Sequence, residues 1–394
     1  MTRSEAPPLL SVVATSRNDD HGGHLLERMQ WFVDGLAWNA ERRGVPVELV
    51  LIEWNPPADR APLAEVLRWP RAGSWLEVRV LTVPAAEHRR LLPGGGVPML
   101  QMIAKNVGIR RARGRSVLAT NIDILLSPEL YDLSTSEIPQ GVVLRADRVD
   151  VRFPFAEGTG NVEEALEQCE AHPIRYARRD GIHYPGRGRV LPIYQGVGDF
   201  LRWQVGHAPT RLAARLRARR GEAGDLGPRL PSHRPGSLRP GRSLLDWAAD
   251  RAGALLDLAR LPKLHVNACG DFTLLARADW HAARGYPELV TYSMHLDTIF
   301  LHQLHAAGLR QVEAGPPAVA YHMEHSEGSG WTPEGQAQLF EALARSGTAT
   351  LGSRELRAEK RRLQRSRGGG SILYNDADWG LASLEVPETV VTGR

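Results

Sequence analysis

Between Leu9 and Ala119, short runs of Val, Leu and Ile alternate with stretches whose apolar residues recur every three or four positions, and each run ends on polar residues. Leu9 to Ala14 is the first run, followed by the polar stretch Ser16 to Gly23. Then Leu25, Leu26, Met29, Phe32, Val33 and Leu36 carry the spacing of an amphipathic helix over 25–43. Val47 to Ile52 reads as a second strand, stopped by Asn55-Pro56-Pro57, Ala61 to Trp69 as a short helix, and Leu76 to Val83 as a third strand. Met99 to Arg111 reads as a helix leading into a fourth strand, Ser116 to Ala119. Such alternation implies an α/β fold with a mostly parallel sheet flanked by helices, whose ligands gather beyond the carboxyl ends of the strands. Those ends are Thr15 to Asp20, Glu53 to Asn55, and Thr120 to Asp123.

The regularity then stops. Residues 202–242 hold ten Arg against two acids, Glu222 and Asp225, with scattered Pro and Gly, and read as a flexible basic segment inside an irregular or helical insertion over 141–261. Order returns with a helix at Leu244 to Leu261, a strand and turn at Asn267 to Ala276, and a helix at Leu296 to Ala307. A charged helix, Arg354 to Arg367, lies in a C-terminal extension over 336–394. Because 46 of the 49 basic residues are Arg, the bias is chain-wide and says little about partners. The Arg segment lacks interleaved aromatics to stack on bases, which argues against nucleic acid. Cys169 and Cys269 show no zinc or disulfide spacing, so a reduced cytoplasmic protein is expected. Leu9 to Ala14 is too short for a signal-peptide core, and no apolar run approaches the ~18 residues of a membrane span, which leaves only peripheral membrane contact open.

Several polar residues are placed where chemistry is done. Asn121 and Asp123 put an amide and a carboxylate on one side of an extended backbone, an arrangement that suits a divalent cation bridging phosphate oxygens or an ordinary polar strand end. Glu53 can accept from a nucleobase ring N–H, with Trp54 as a stacking face, or can cap a turn. Arg17, Asn18, Asp19 and Asp20 form the polar tip after the first strand, where Arg17 can fork onto a phosphate. Asp297, in a first helical turn, is either a cap or a general base, while His302 and His305 share a face expected to be solvated. His322 and His325 do not fit the zinc-protease helix, but they suit a strand-end metal site begun by Asp123.

Taken in order, these pieces resemble the GT-A nucleotide-sugar glycosyltransferases, most closely glycosyltransferase family 2. Leu10-Ser11-Val12-Val13-Ala14-Thr15-Ser16-Arg17-Asn18 resembles the family's opening strand and loop, and Val50-Leu51-Ile52-Glu53 its second strand. Ala104-Lys105-Asn106-Val107-Gly108-Ile109 and Ala112-Arg113-Gly114 resemble the element that leads to its Asp-x-Asp position, here Asn121-Ile122-Asp123. Asn267 to Leu274, with Gly285-Tyr286-Pro287-Glu288, resembles the acceptor-side segment, and Leu296-Asp297 the catalytic Glu-Asp. The resemblance implies a donor half over 9–140 and an acceptor and catalytic half over 262–335. It implies donor contacts from Thr15, Arg17, Asn18, Asp19, Glu53, Lys105, Asn106, Asn121 and Ile122, and acceptor contacts from Gly270, Asp271 and Phe272. Mn2+ or Mg2+ would be held by Asp123 with His322 and His325, and Asp297 would be the base. The implied reaction is inverting transfer of a sugar from a nucleoside diphosphate sugar, UDP- or GDP-linked, to a hydroxyl acceptor. Asn121 and Leu296 depart from the family's acids, which keeps a non-catalytic nucleotide-sugar-binding scaffold of the same fold as the alternative. Nucleotidyl transfer ranks lower, because the Gly-rich activating loop it needs is missing.

Overall fold

Apolar runs that do not alternate are buried on both faces, and the first two strands behave so. The computed structural model describes residues 7–207, 244–325, 335–368, 370 and 372–393, without the side chains of 244–251. In it β1 (Leu10–Ser16) and β2 (Val47–Trp54) are buried at every position. β1 pairs in parallel with β2 on one side and with β4 (Ser116–Ala119) on the other, and β2 continues in parallel to β3 (Leu76–Val83). The expected helix over 25–43 is α1 (Leu25–Arg43), ended by Gly44 in the left-handed region. The stretch 61–69 gives only the four-residue α2 (Leu63–Val66), and α3 (Ala85–Leu91) follows β3. On the opposite face lies α4 (Gln101–Arg111), which approaches so closely that a methyl group at Gly108 would meet Val13 Cγ1 at 2.6 Å. One core therefore gathers Leu25, Met29 and Phe32 under α1, and a second gathers Ile103 and Val107 of α4 with Trp280 and Phe300.

The expectation of a mostly parallel sheet is corrected. The twelve strands form a mixed sheet, with four parallel and seven antiparallel pairings among the described residues. The segment 141–261, expected as an insertion, begins as β6 (Val142–Val151), β7 (Pro173–Arg178), β8 (Gly181–Tyr184) and β9 (Gly188–Pro192), which extend the same sheet by antiparallel steps. β10 (Thr273–Ala276) enters antiparallel between β4 and β6. β11 (Arg310–Met323) runs parallel to β6 and antiparallel to the short β5 (Ile124–Leu126). At the far edge β12 (Glu388–Val391) covers β3, where Arg79 forks onto Glu388 at 2.7 and 2.8 Å and reaches buried Glu48 at 3.1 Å. Most of the Arg-rich stretch 202–242 lies outside the described residues. No helix of the described residues is long and apolar enough to cross a membrane.

Asn106 shows how α4 is tied to the chain's second half. Its amide, itself fully buried, donates to Tyr286 O at 2.8 Å and to half-buried Glu288 Oε1 at 2.9 Å, and accepts from Tyr286 N at 2.8 Å. Asn106→Ala leaves the buried Tyr286 N without its acceptor, while Tyr286 O keeps Asn375 Nδ2 at 2.6 Å and Glu288 Oε1 keeps Gly380 N at 2.7 Å. Chemical denaturation is expected to show a loss of roughly 1–3 kcal/mol, the cost of one buried unsatisfied donor.

Candidate functional site

The register of two strand pairs assembles the centre of the site. Opposite Ile124 of β5 and Asp150 of β6 stands His322 of β11. Asp123, the residue before β5, accepts a backbone bond through its carbonyl from Met323 N at 2.9 Å. A three-residue step past His322 brings His325 to the same place, with its Nε2 3.3 Å from Asp123 Oδ2, while His322 Nε2 lies 3.7 Å from that oxygen. One ligand atom from each of Asp123, His322 and His325 fits within 4.8 Å of the others, the compass of a single metal ion. The second Asp123 oxygen, Oδ1, is buried and makes no hydrogen bond among the described residues. Gly22 closes over the group with φ +77°, and a methyl there would meet His325 Nδ1 at 2.8 Å.

Neighbouring charges hold these side chains in place. His322 Nδ1 bonds Asp150 Oδ1 at 3.0 Å, which leaves Nε2 directed at Asp123. This carboxylate–imidazole arrangement is the one that fixes metal-binding histidines. Burial and Arg148 oppose a charge on His322, yet Asp123 and Asp150 outweigh them and raise its pKa to about 10. Burial would likewise raise Asp123, but His322 and His325 hold it well below the usual carboxylate range. Arg28 of α1, 1% exposed, donates to Asp123 Oδ2 at 3.1 Å. From Asp150 the chain of contacts continues through Arg148 (3.2 Å) to Asp271 (2.7 Å), then to Asn121 (2.5 Å) and on to Lys105 Nζ (2.8 Å). Lys105 also donates to Gly270 O at 2.7 Å, so the amine bridges the ends of β4 and β10.

A buried carboxylate oxygen without a partner, two imidazoles and an orienting second carboxylate together fit a divalent ion. No family model matches this chain, and no curated protein matches it.

Of the other residues singled out from the sequence, some meet the site and some are spent elsewhere. Asp297 opens the helix Leu296–Ala306, half-buried, with Oδ1 accepting from Thr298 N at 2.7 Å. A methyl at Gly270 would lie 3.2 Å from Asp297 Oδ2, which puts Asp297 beside the carbonyl that Lys105 holds. Arg17 lies at the tip of β1, bonded to Asn55 O at 2.6 Å and Asp19 Oδ2 at 3.1 Å. Asn18 holds Ala61 O at 2.8 Å, and Thr15 lies buried against Ile52 O and Met99 Sδ. Glu53 is buried and accepts from Leu63 N at 2.9 Å, the turn-capping arrangement. Trp54 is wholly enclosed and donates to His88 Nδ1 at 3.0 Å, so it offers no stacking face. Ile122 and Phe272 belong to the core under α1. His302 is buried rather than solvated, and burial drives its pKa well down.

Arg28, Arg148 and Asp150 were not singled out from the sequence. Their signal was present: Arg145, Asp147, Arg148 and Asp150 are charges embedded in Val142–Val151, where a solvated strand has no need of so many Val.

Lys105 gives a test of the site's polarity. Burial lowers its pKa from 10.5 to about 8, against the opposing pull of Asp271, Asp297 and Asp123. Between those pH values the unfolded chain keeps a proton that the folded chain has released, so this lysine's contribution to stability rises with pH. Relative to Lys105→Met, the wild type is expected to gain roughly 3 kcal/mol from pH 8 to 10.5 in denaturant titrations.

Proposed function

We propose that this chain is a GT-A-type glycosyltransferase that moves a sugar from a nucleoside diphosphate sugar to a hydroxyl acceptor. The observation that carries the reading is the Asp123, His322 and His325 cluster at the carboxyl end of the parallel strands, with Asp123 Oδ1 buried and unpartnered. Polar ends of β1, β2 and β4 meet on that side, the position where open α/β sheets bind nucleotides. Asp123, His322 and His325 would hold a divalent cation, which when bound supplies positive charge against the departing diphosphate. Two imidazoles with one carboxylate suit Mn2+ or another first-row ion better than Mg2+, which prefers oxygen ligands. Asp150 keeps the His322 ring oriented, and Arg28 and Lys105 add fixed positive charge at the same strand ends. Asp297 lies across Gly270 from Lys105 and would take the proton of the acceptor hydroxyl as its oxygen attacks the anomeric carbon opposite the departing diphosphate, which inverts that centre.

A second reading has its own observation. Arg28 and the charged His322 already neutralise Asp123, an arrangement that suits a nucleotide-sugar-binding scaffold with no need of a metal. A thermal-shift panel of UDP, GDP, CDP and dTDP, each with and without manganese, separates the two. Stabilisation by one nucleotide that requires manganese supports the enzyme. Equal stabilisation in EDTA supports the scaffold, and no shift with any nucleotide removes both readings.

A further inference from the structure

β4 and β10 end near the metal cluster on one side of the sheet and in a different concentration of charge on the other. Asn121 and Asp271 flank them at the first end, while Arg115 precedes β4 and Arg277 follows β10 at the second. The strands are antiparallel with Ser116 opposite Ala276, so the two arginines stand side by side, and Arg277 N donates to Arg115 O at 2.9 Å. With Ala278 and His281 they line an open cleft of about 500 Å³, within the size range of small-molecule sites.

The guanidiniums here are less engaged than their neighbours. Arg110 and Arg111 are taken up by carbonyls of the C-terminal segment, and Arg113 pairs with Glu48 and Glu77. Among the described residues, by contrast, neither Arg115 nor Arg277 pairs with a carboxylate, and Arg277 makes only a long 3.4 Å contact to Ala112 O. The acid nearest in sequence, Asp279, is engaged by Gly141 N at 2.8 Å. His281 leans edge-on against Trp379 at 5.3 Å, over which Arg110 also sits at 5.0 Å. Burial first, then Arg277 and Arg110, lower its pKa, so both arginines are felt at the imidazole. Like charges placed on opposed strand positions repel, and an anion between them turns that cost into attraction.

We infer that the Arg115–Arg277–His281 cleft binds a phosphate or diphosphate group of a small molecule, independently of the metal cluster and of any glycosyl transfer there. Forked N–H pairs from the two arginines suit phosphate oxygens, with the imidazole at the rim as a further donor. The four residues of β4 separate this cleft from the metal cluster by about 13 Å of strand, so one anion does not serve both.

Calorimetric titration of the full chain with pyrophosphate in EDTA tests this. One saturable site is expected, retained in Asp123→Asn and weakened at least about tenfold in Arg115→Gln/Arg277→Gln. Amide exchange with and without pyrophosphate gives a second measurement, with slowing expected in 113–117 and 277–282. An unaltered melting temperature shows that the double variant is folded. Absence of binding by the wild type overturns the inference, as does equal binding by the double variant. Loss confined to Asp123→Asn also overturns it, because the anion would then sit at the metal cluster.

Discussion

Asp123→Ala is expected to abolish manganese-dependent stabilisation by nucleotide and to weaken manganese binding by at least ~100-fold, because removing a ligand exceeds the 10–100-fold cost of losing an outer partner. The variant also leaves Arg28 and His322 buried without their shared counter-ion. Breaking a buried pair in this way costs about 3–5 kcal/mol, so a lower melting temperature alone proves nothing about metal. Asp123→Asn keeps the shape and tests the ligand itself: its baseline stability falls less, while its manganese response disappears as fully. In the wild type, uptake of manganese near neutral pH must expel the proton that Asp123 and Asp150 hold on His322 up to about 10. Manganese affinity therefore rises with pH, and calorimetry in buffers of different ionisation heat reads the released proton. A manganese response that survives in both variants sinks the proposed centre.

The parts of the fold written in local periodicity were legible. α1, β3 and β4 fall on the stretches that their apolar spacing marks, because each buries a pattern that is complete within its own residues. β6 was not legible, and β11 only at its end, since Arg145, Arg148 and Asp150 interrupt β6 and are acceptable there only through partners far along the chain: His265 and Asn267 for Arg145, Asp271 for Arg148, His322 for Asp150. The mixed character of the sheet went unread for a related reason, because β10 and β12 reach it from distant segments and sequence order does not tell the direction in which they enter. In the site, position at a strand end pointed to Asp123, His322 and His325, which the register brings together. Polarity at a strand end does not reveal a partner, however. Glu53 and Asn106 have the right residue types, but a Leu63 amide and the Tyr286 loop take up their hydrogen-bonding atoms.

Asp297→Asn is expected to reduce sugar transfer by ~10²–10⁴-fold, the usual worth of a positioned base, with nucleotide affinity and melting temperature nearly unchanged. The substitution is chosen for its shape: Oδ1, which accepts from Thr298 N, is kept as the amide oxygen, so this bond in the first helical turn survives. What is lost is a carboxylate able to take a proton. Among the acids around Lys105, Asp271 is poorly suited to that task, because Asn121 and Arg148 occupy both of its oxygens. Asp123 is engaged by Arg28 and the two histidines. Asp297 has more freedom, since beyond the Thr298 amide it faces Gly270 and the Cys269 thiol, a weak donor. Gly270→Ala would place a methyl 3.2 Å from Oδ2. It should therefore lower turnover without the full loss, by crowding the same oxygen. Initial rates of transfer, read beside nucleotide affinity, check both variants. Full turnover in Asp297→Asn would return this residue to the capping role that its place in the first helical turn also permits.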